Sequence, residues 1–108
     1  MHLTNYAINK DSENYIQANG KNEFESSKRS FLSIIQLIER EFGIPAAENL
    51  QNEIYDIIIK TLCMVQPHIN HLMRSCQPDD IENQLCFHIL GFDIMIDSKL
   101  RPYLLEVN

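Results

Sequence analysis

Three side chains with oxygen donors lie close together in the last part of this 108-residue sequence, namely Asp93, Glu106 and Asn108. Carboxylate and amide oxygens are hard ligands that suit Mg²⁺, particularly where the ion also bridges phosphates. Carboxylates fixed among apolar side chains are costly unless one is protonated or a cation lies between them. The three residues are therefore candidate magnesium ligands. The alternative is that both acids point to solvent on an open sheet face.

Two helical regions and a hairpin are predicted to position these side chains. Over residues 30–42 an apolar face with a packing role is predicted from side chains at helical spacing, namely Phe31, Ile34, Ile35, Ile38 and Phe42. Apolar residues recur at the same spacing over 46–76, where Pro67 is expected to kink or split the second helix. Two apolar runs then predict strands at about residues 85–96 and 102–108, joined by a polar turn. The predicted fold class is α+β, with an antiparallel β-hairpin after the helices.

The register of the hairpin decides which side chains meet. The position of the turn predicts that Ile96 faces Tyr103 and that Asp93 faces Glu106. Asn108 then shares a face with Glu106, because side chains alternate along a strand. Directly opposed residues have Cβ atoms about 5 Å apart, so two opposed carboxylates repel each other. A bound cation would offset that repulsion.

Composition argues against several classes of function. The formal net charge of −6 argues against nonspecific binding to nucleic acid or to acidic membranes. No apolar run is long enough for a transmembrane helix, and the N-terminus has no secretory signal pattern. The odd set of Cys63, Cys76 and Cys86 indicates reduced thiols. A zinc site built from Cys63, His68, His71 and Cys76 is disfavoured, because no CxxC accompanies these residues and Pro67 disturbs the helix. The favoured interpretation is an amphipathic helix surface with core cysteines.

The run at residues 86–108 resembles the signature of the tubulin tyrosine ligase-like family, whose members are ATP-grasp carboxylate–amine ligases. The family pattern is an aromatic and apolar run, Gly-Phe-Asp, about a dozen residues, and Pro-aromatic-Leu-Leu-Glu-Val-Asn. Residues 91–93 and 102–108 fit it, with Tyr103 where the family usually has Trp. Residues 1–10 match the HLTNY-x-INK segment of the same family.

The resemblance implies roles for individual residues. Thr4 and Asn5 would contact ATP, and Tyr6 would line the pocket of the incoming amino acid. Lys28 would hold the carboxylate of a glutamate co-substrate, with Arg29 a weaker candidate. The implied magnesium ligands are the three residues already reached from the hairpin, Asp93, Glu106 and Asn108. No side-chain nucleophile is implied beyond these metal and substrate ligands.

The implied activity is an ATP- and Mg²⁺-dependent ligation that adds glutamate to glutamate side chains of tubulin through an acyl phosphate. The sequences around Gly91-Phe92-Asp93 and Ser27-Lys28-Arg29 are most similar to those of glutamate-adding members. Addition of glycine or tyrosine is an alternative within the family. A truncated, non-catalytic interaction fragment is an alternative outside it, and a Ca²⁺ site at Asp93 and Glu106 is a weaker one, because the EF-hand pattern is missing.

The resemblance also implies that residues 1–108 form only part of an ATP-grasp domain, without its first lobe and its C-terminal continuation. Met1 is then expected to be an internal methionine, and these residues alone are expected to be inactive. The implied partners are tubulin or microtubules, free L-glutamate and ATP, with no nucleic acid and no membrane. The implied location is the cytoplasm and cytoskeleton, including the cilium or basal body.

Overall fold

The computed structural model describes residues 8, 10–17, 26–82 and 87–108. Within them lie two helices and two strands, which are α1 (Phe31–Phe42), α2 (Ile44–Cys76), β1 (Phe92–Ile96) and β2 (Pro102–Val107). The chain divides into two compact units, Met1–Ala47 and Glu48–Asn108. The predicted α+β class is confirmed, as is the order of two helical regions followed by a hairpin.

Helix α1 begins and ends at residues whose chemistry suits those positions. The Ser30 hydroxyl accepts the N–H of Ser33 at 3.1 Å, which satisfies one of the unpaired donors of the first turn. Gly43 follows the last turn with φ at 91° and donates its N–H to the Glu39 carbonyl at 2.9 Å. Glycine adopts this positive φ without the strain that a Cβ would bring. The predicted helix over residues 30–42 is therefore confirmed.

The buried face of α1 is narrower than its sequence predicts. Ile35 and Ile38 are buried, as is Ala47 at the end of the same unit. Burial of an isoleucine side chain is worth about 1.5–3 kcal/mol, so these two residues supply most of the apolar stabilisation of the helix. Phe31 and Phe42 fit the same spacing but are 52% and 56% exposed. Their predicted place on the buried face is wrong, because each lies at an end of the helix.

Helix α2 continues without a break through Pro67. Pro45 lies in its first turn, where a missing N–H costs nothing. Pro67 lies inside the helix and removes one backbone hydrogen bond, yet residues on both sides remain helical. The predicted split at Pro67 is therefore wrong. Residues 46–76 contain no glycine and no other proline, so Pro67 is the one strong helix-breaking residue in that range.

Burial along α2 is confined to its first half. Leu50 is fully buried and Ile54 is 6% exposed. From Leu62 to the end of the helix no side chain is buried. Cys63 and Cys76 are free and exposed, so the prediction that they are core cysteines is wrong for both. No helix in the described part of the chain is long and apolar enough to cross a bilayer.

The hairpin is shorter than predicted at its start. The predicted strand at residues 85–96 is confirmed only from Phe92 onward, since residues 87–90 have no regular structure and 83–86 lie outside the described residues. Gly91, just before β1, still exchanges two backbone hydrogen bonds with Asn108, at 2.7 and 2.8 Å. The second strand matches its prediction closely.

The register contains one irregularity. The paired residues are Phe92 with Val107, Asp93 with Glu106, Ile94 with Leu104, Met95 with Tyr103, and Ile96 with Pro102. Between the second and third of these pairs β2 has one extra residue, Leu105, which is a β-bulge. The predicted pairing of Asp93 with Glu106 is confirmed. The predicted pairing of Ile96 with Tyr103 is wrong by one residue.

The three-residue loop at 98–100 explains the pairing near the turn. Leu100 donates its N–H to the Asp97 carbonyl at 3.0 Å, and Asp97 donates its N–H to the Arg101 carbonyl at 3.0 Å. Leu100 has φ at 60°, as expected for the left-handed residue that ends such a loop. A residue with a Cβ pays about 1–2 kcal/mol for that conformation, so other contacts must hold the loop.

Candidate functional site

The hairpin has two chemically different faces. Residues that oppose each other on paired strands share a face, and successive residues alternate. The apolar face comprises Phe92, Ile94, Ile96, Pro102, Leu104 and Val107. The acidic face comprises Asp93, Met95, Tyr103 and Glu106, continued by Asn108 opposite Gly91. The candidate magnesium ligands therefore lie together on one face of the hairpin.

The bulge at Leu105 creates this separation. If the pairing near the loop continued without a bulge, Leu105 would oppose Asp93, and Glu106 would oppose Phe92 on the apolar face. With the extra residue, Phe92 instead opposes Val107 on the apolar face, and Asp93 opposes Glu106 on the acidic face. Bulges often re-aim side chains next to functional sites. The structure thus brings Asp93 and Glu106 together at the cost of an irregular strand.

The electrostatics of the acidic face suit a divalent cation. Opposed residues have Cβ atoms about 5 Å apart, and like charges at that separation are destabilising. Asp93 and Glu106 are both exposed, and neither has an ion-pair partner among the described residues. A cation between the two carboxylates would attract both of them and so offset their mutual repulsion. The site is open, so phosphate oxygens and water have access to it.

The donor set fits Mg²⁺ more closely than a transition metal. Two carboxylates and the Asn108 amide are oxygen donors, and Mg²⁺ commonly combines one or two carboxylates with water and substrate phosphates. No group of three His, Cys, Asp or Glu side chains comes together in the described part of the chain. The sulfur and nitrogen donors of a structural zinc site are therefore not assembled by those residues. The role of Asp93, Glu106 and Asn108 as magnesium ligands remains a prediction.

Lys28 lies in a loop whose backbone is fixed by its neighbours. The Ser26 hydroxyl is buried and donates to the Lys28 carbonyl at 2.6 Å. Ser27 exchanges two hydrogen bonds with Ile16, through its N–H at 2.9 Å and its hydroxyl at 3.1 Å. Arg29 donates its Nε–H to the Ser26 carbonyl at 3.0 Å. Lys28 is exposed, and Arg29 is half-buried.

The remaining predicted site residues are placed only in part. Thr4, Asn5 and Tyr6 lie outside the described residues, so their roles stay predictions. Lys28 belongs to the first compact unit, and the acidic face belongs to the second. Ser26 and Ser27, which anchor the Lys28 loop, were not predicted to have that role. The Ser26 hydroxyl bonds within its own loop, to Lys28, whereas Ser27 bonds to Ile16, which the sequence does not identify as its neighbour in the fold.

Asp97 has a larger role than a generic turn residue. Its Oδ1 accepts the N–H groups of Lys99 at 2.8 Å and Arg101 at 2.9 Å, and its Oδ2 accepts the Tyr103 hydroxyl at 3.2 Å. The hydrogen bond from the Arg101 backbone is the main reason that the pKa of Asp97 is lowered, and burial opposes it. An Asp at the start of a loop is the sequence signal for such contacts.

Comparison with known proteins covers the whole chain. The tubulin-tyrosine ligase family matches residues 1–108. A probable beta-tubulin polyglutamylase of Tetrahymena thermophila is 46% identical over 109 residues, which is 100% of this chain and 9% of that protein. Tubulin polyglutamylase TTLL6 of Mus musculus is 46% identical over 108 residues, covering 100% of this chain and 12% of that protein.

A more distant relative gives the same result. Tubulin polyglutamylase TTLL7 of Xenopus tropicalis is 39% identical over 111 residues, covering 100% of this chain and 12% of that protein. The chain thus spans about a tenth of the length of these curated relatives. Because the family match extends from the first residue to the last, the chain belongs to the tubulin-tyrosine ligase family.

Proposed function

We propose that this chain forms part of an ATP- and Mg²⁺-dependent ligase that adds glutamate to glutamate side chains of tubulin. The observation that carries the proposal is the opposed pair of Asp93 and Glu106 on one exposed face of the hairpin. The relatives named above support the tubulin substrate, because their names describe tubulin polyglutamylases. They favour glutamate over the glycine and tyrosine alternatives for the same reason.

The acidic face would hold the metal. Asp93 and Glu106 would supply carboxylate oxygens, and Asn108, fixed through its backbone to Gly91, would supply an amide oxygen. When bound, Mg²⁺ would neutralise charge on the nucleotide phosphates during transfer to the acceptor carboxylate. No residue of this chain needs to act as a nucleophile. The amine of the incoming glutamate would attack the carbonyl carbon of an acyl phosphate, forming the amide bond while the bond to phosphate breaks and inorganic phosphate and a proton leave.

The loop around Lys28 would receive the co-substrate. An exposed ammonium on a backbone fixed by Ser26 and Ser27 can pair with a carboxylate of free glutamate. Thr4 and Asn5 would contact ATP, and Tyr6 would line the amino-acid pocket. We further propose that the chain is part of an ATP-grasp domain whose other residues complete the nucleotide site, and that it acts on microtubules in the cytoplasm, including those of cilia and basal bodies.

A hybrid enzyme tests this proposal. In the hybrid, this chain replaces the matching segment of mouse tubulin polyglutamylase TTLL6, to which it is 46% identical. We expect incorporation of labelled glutamate into tubulin, and we expect Asp93→Ala or Glu106→Ala to lower it by at least about 100-fold, because a metal ligand is lost. Asp56→Ala is the matched control, since Asp56 pairs with Lys60 on the exposed side of α2.

Two outcomes would contradict the proposal. One is a folded hybrid that adds no glutamate while the parent enzyme does. The other is a hybrid that keeps its activity when both Asp93 and Glu106 are replaced by alanine. The 108-residue chain by itself should add no glutamate in the same assay, because an ATP-grasp enzyme holds its nucleotide between two lobes.

A further inference from the structure

We propose that Asp97 is a positioning residue for the acidic face: its carboxylate holds the loop at residues 98–100 short, and the short loop requires the bulge at Leu105, which bends β2 next to the opposed Asp93 and Glu106. The inference rests on the proposed magnesium role of that pair. It concerns a residue that is not itself a ligand. Asp97 is four residues from Asp93 along an extended strand, which is roughly 13 Å.

The contacts of Asp97 all favour the short loop. Its Oδ1 accepts the N–H groups of Lys99 and Arg101, and its own N–H donates to the Arg101 carbonyl. Its carbonyl accepts the N–H of Leu100, the residue with positive φ. The backbone N–H groups of three successive residues, 99–101, therefore all donate to Asp97. Lengthening the loop by one residue would break both contacts between Asp97 and Arg101.

Tyr103 adds a contact that depends on the register. Its hydroxyl donates to Asp97 Oδ2 at 3.2 Å, and it opposes Met95 on the acidic face. If the loop gained one residue, Tyr103 would instead oppose Ile96 and lie on the apolar face. The hydrogen bond between Tyr103 and Asp97 is therefore available only when the loop is short.

The short loop and the far end of the hairpin require different registers. Near the loop, Ile96 pairs with Pro102, whereas at the far end Phe92 pairs with Val107. The two registers differ by one residue, and the bulge at Leu105 absorbs the difference. A longer loop would remove the need for the bulge. Asp93 would still oppose Glu106, but the strand would lose the bend and twist that a bulge introduces beside them.

That bend matters because metal ligands must be held closely. Side chains in a binding site need placement within about 0.5 Å of the productive geometry. A two-stranded hairpin has little intrinsic stability, and no residue of this one is buried. The loop contacts of Asp97 are therefore a main local determinant of where the two carboxylates lie.

Mn²⁺ titration of the hybrid enzyme, followed by the electron paramagnetic resonance of free Mn²⁺, tests the inference without turnover. We expect Asp97→Ala to weaken Mn²⁺ binding by about 10-fold, as loss of a supporting contact often does. Asp97→Asn keeps an acceptor at Oδ1 and should restore most of the affinity. Tyr103→Phe removes one hydroxyl and should weaken binding by about threefold. Asp56→Ala should bind Mn²⁺ like the unmodified hybrid.

The outcomes separate this inference from the proposed function. Unchanged Mn²⁺ affinity in Asp97→Ala, with loss of binding in Asp93→Ala, would overturn the positioning role and leave the metal site intact. Unchanged affinity in Asp93→Ala would overturn the metal site and this inference with it. A lower yield of folded Asp97→Ala enzyme with normal Mn²⁺ affinity would also overturn the inference, because it would indicate a role in stability alone.

Discussion

The helices and the hairpin of this chain are stabilised by different interactions. The helices bury apolar side chains, including Ile35 and Ile38 of α1 and Leu50 and Ile54 of α2. The hairpin buries none of its residues and depends on backbone pairing and on the polar contacts of Asp97. Among the described residues, the part of the chain with the candidate chemistry therefore has the least packing to support it. Within the described residues, local hydrogen bonds are the contacts that hold its geometry.

The largest effect on stability should come from the helical part. Leu50→Ala removes a fully buried side chain, and such changes cost about 2–5 kcal/mol because a cavity adds to the lost burial. Urea denaturation followed by circular dichroism measures it. Leu62→Ala, at an exposed position of the same helix, is the control and should cost less than about 1 kcal/mol. Equal losses at the two positions would contradict the burial pattern of α2.

The helices were easier to predict from the sequence than the hairpin. The helices follow from apolar periodicity, from the cap at Ser30 and from Gly43, which are local signals. The unbroken course of α2 through Pro67 was not predictable from the proline itself, because the outcome depends on the helix around it. The exposure of Phe31 and Phe42 depends on helix ends and on packing, which periodicity does not report.

The pairing of Asp93 with Glu106 was predicted correctly, although the predicted loop and the predicted regular strand were both wrong. The predicted turn was one residue too long, and the bulge at Leu105 was not foreseen. These two errors cancel at Asp93 and Glu106 but not at Ile96. The bulge at Leu105 has no glycine at or beside it, so the neighbouring sequence does not indicate its position. The pairing required the loop conformation at Leu100, which is unusual for a residue with a Cβ.

A smaller and opposite effect is expected at the acidic pair. In the metal-free 108-residue chain, Asp93→Asn removes the repulsion with Glu106 and should raise the free energy of unfolding by about 0.2–1 kcal/mol. Urea denaturation without divalent ions measures the change. Glu13→Gln removes one negative charge at an exposed position outside the hairpin and serves as the control for net charge. A loss of stability in Asp93→Asn would mean that the carboxylate makes a favourable contact.

The smallest expected effect is a pH dependence confined to the hairpin. The pKa of Asp97 is lowered, chiefly by the Arg101 backbone N–H, so the charged carboxylate stabilises the folded loop. That contribution is present above the ordinary pKa of 3.8 and is lost as the pH falls through the lowered value. The amide signals of Lys99 and Arg101, followed by NMR from pH 6 to pH 2, should shift in that window. In Asp97→Asn the transition should be absent; its persistence would assign it to another group.

Binding of a divalent ion by the opposed carboxylates can be measured directly. Mn²⁺ should be titrated into the hybrid enzyme and into its double variant, Asp93→Ala with Glu106→Ala. After subtraction of a protein-free control with the same ATP, which itself chelates Mn²⁺, we expect one Mn²⁺ site in the hybrid that the double variant loses and for which Mg²⁺ competes. Equal Mn²⁺ affinity in the double variant would show that the metal is held by other residues.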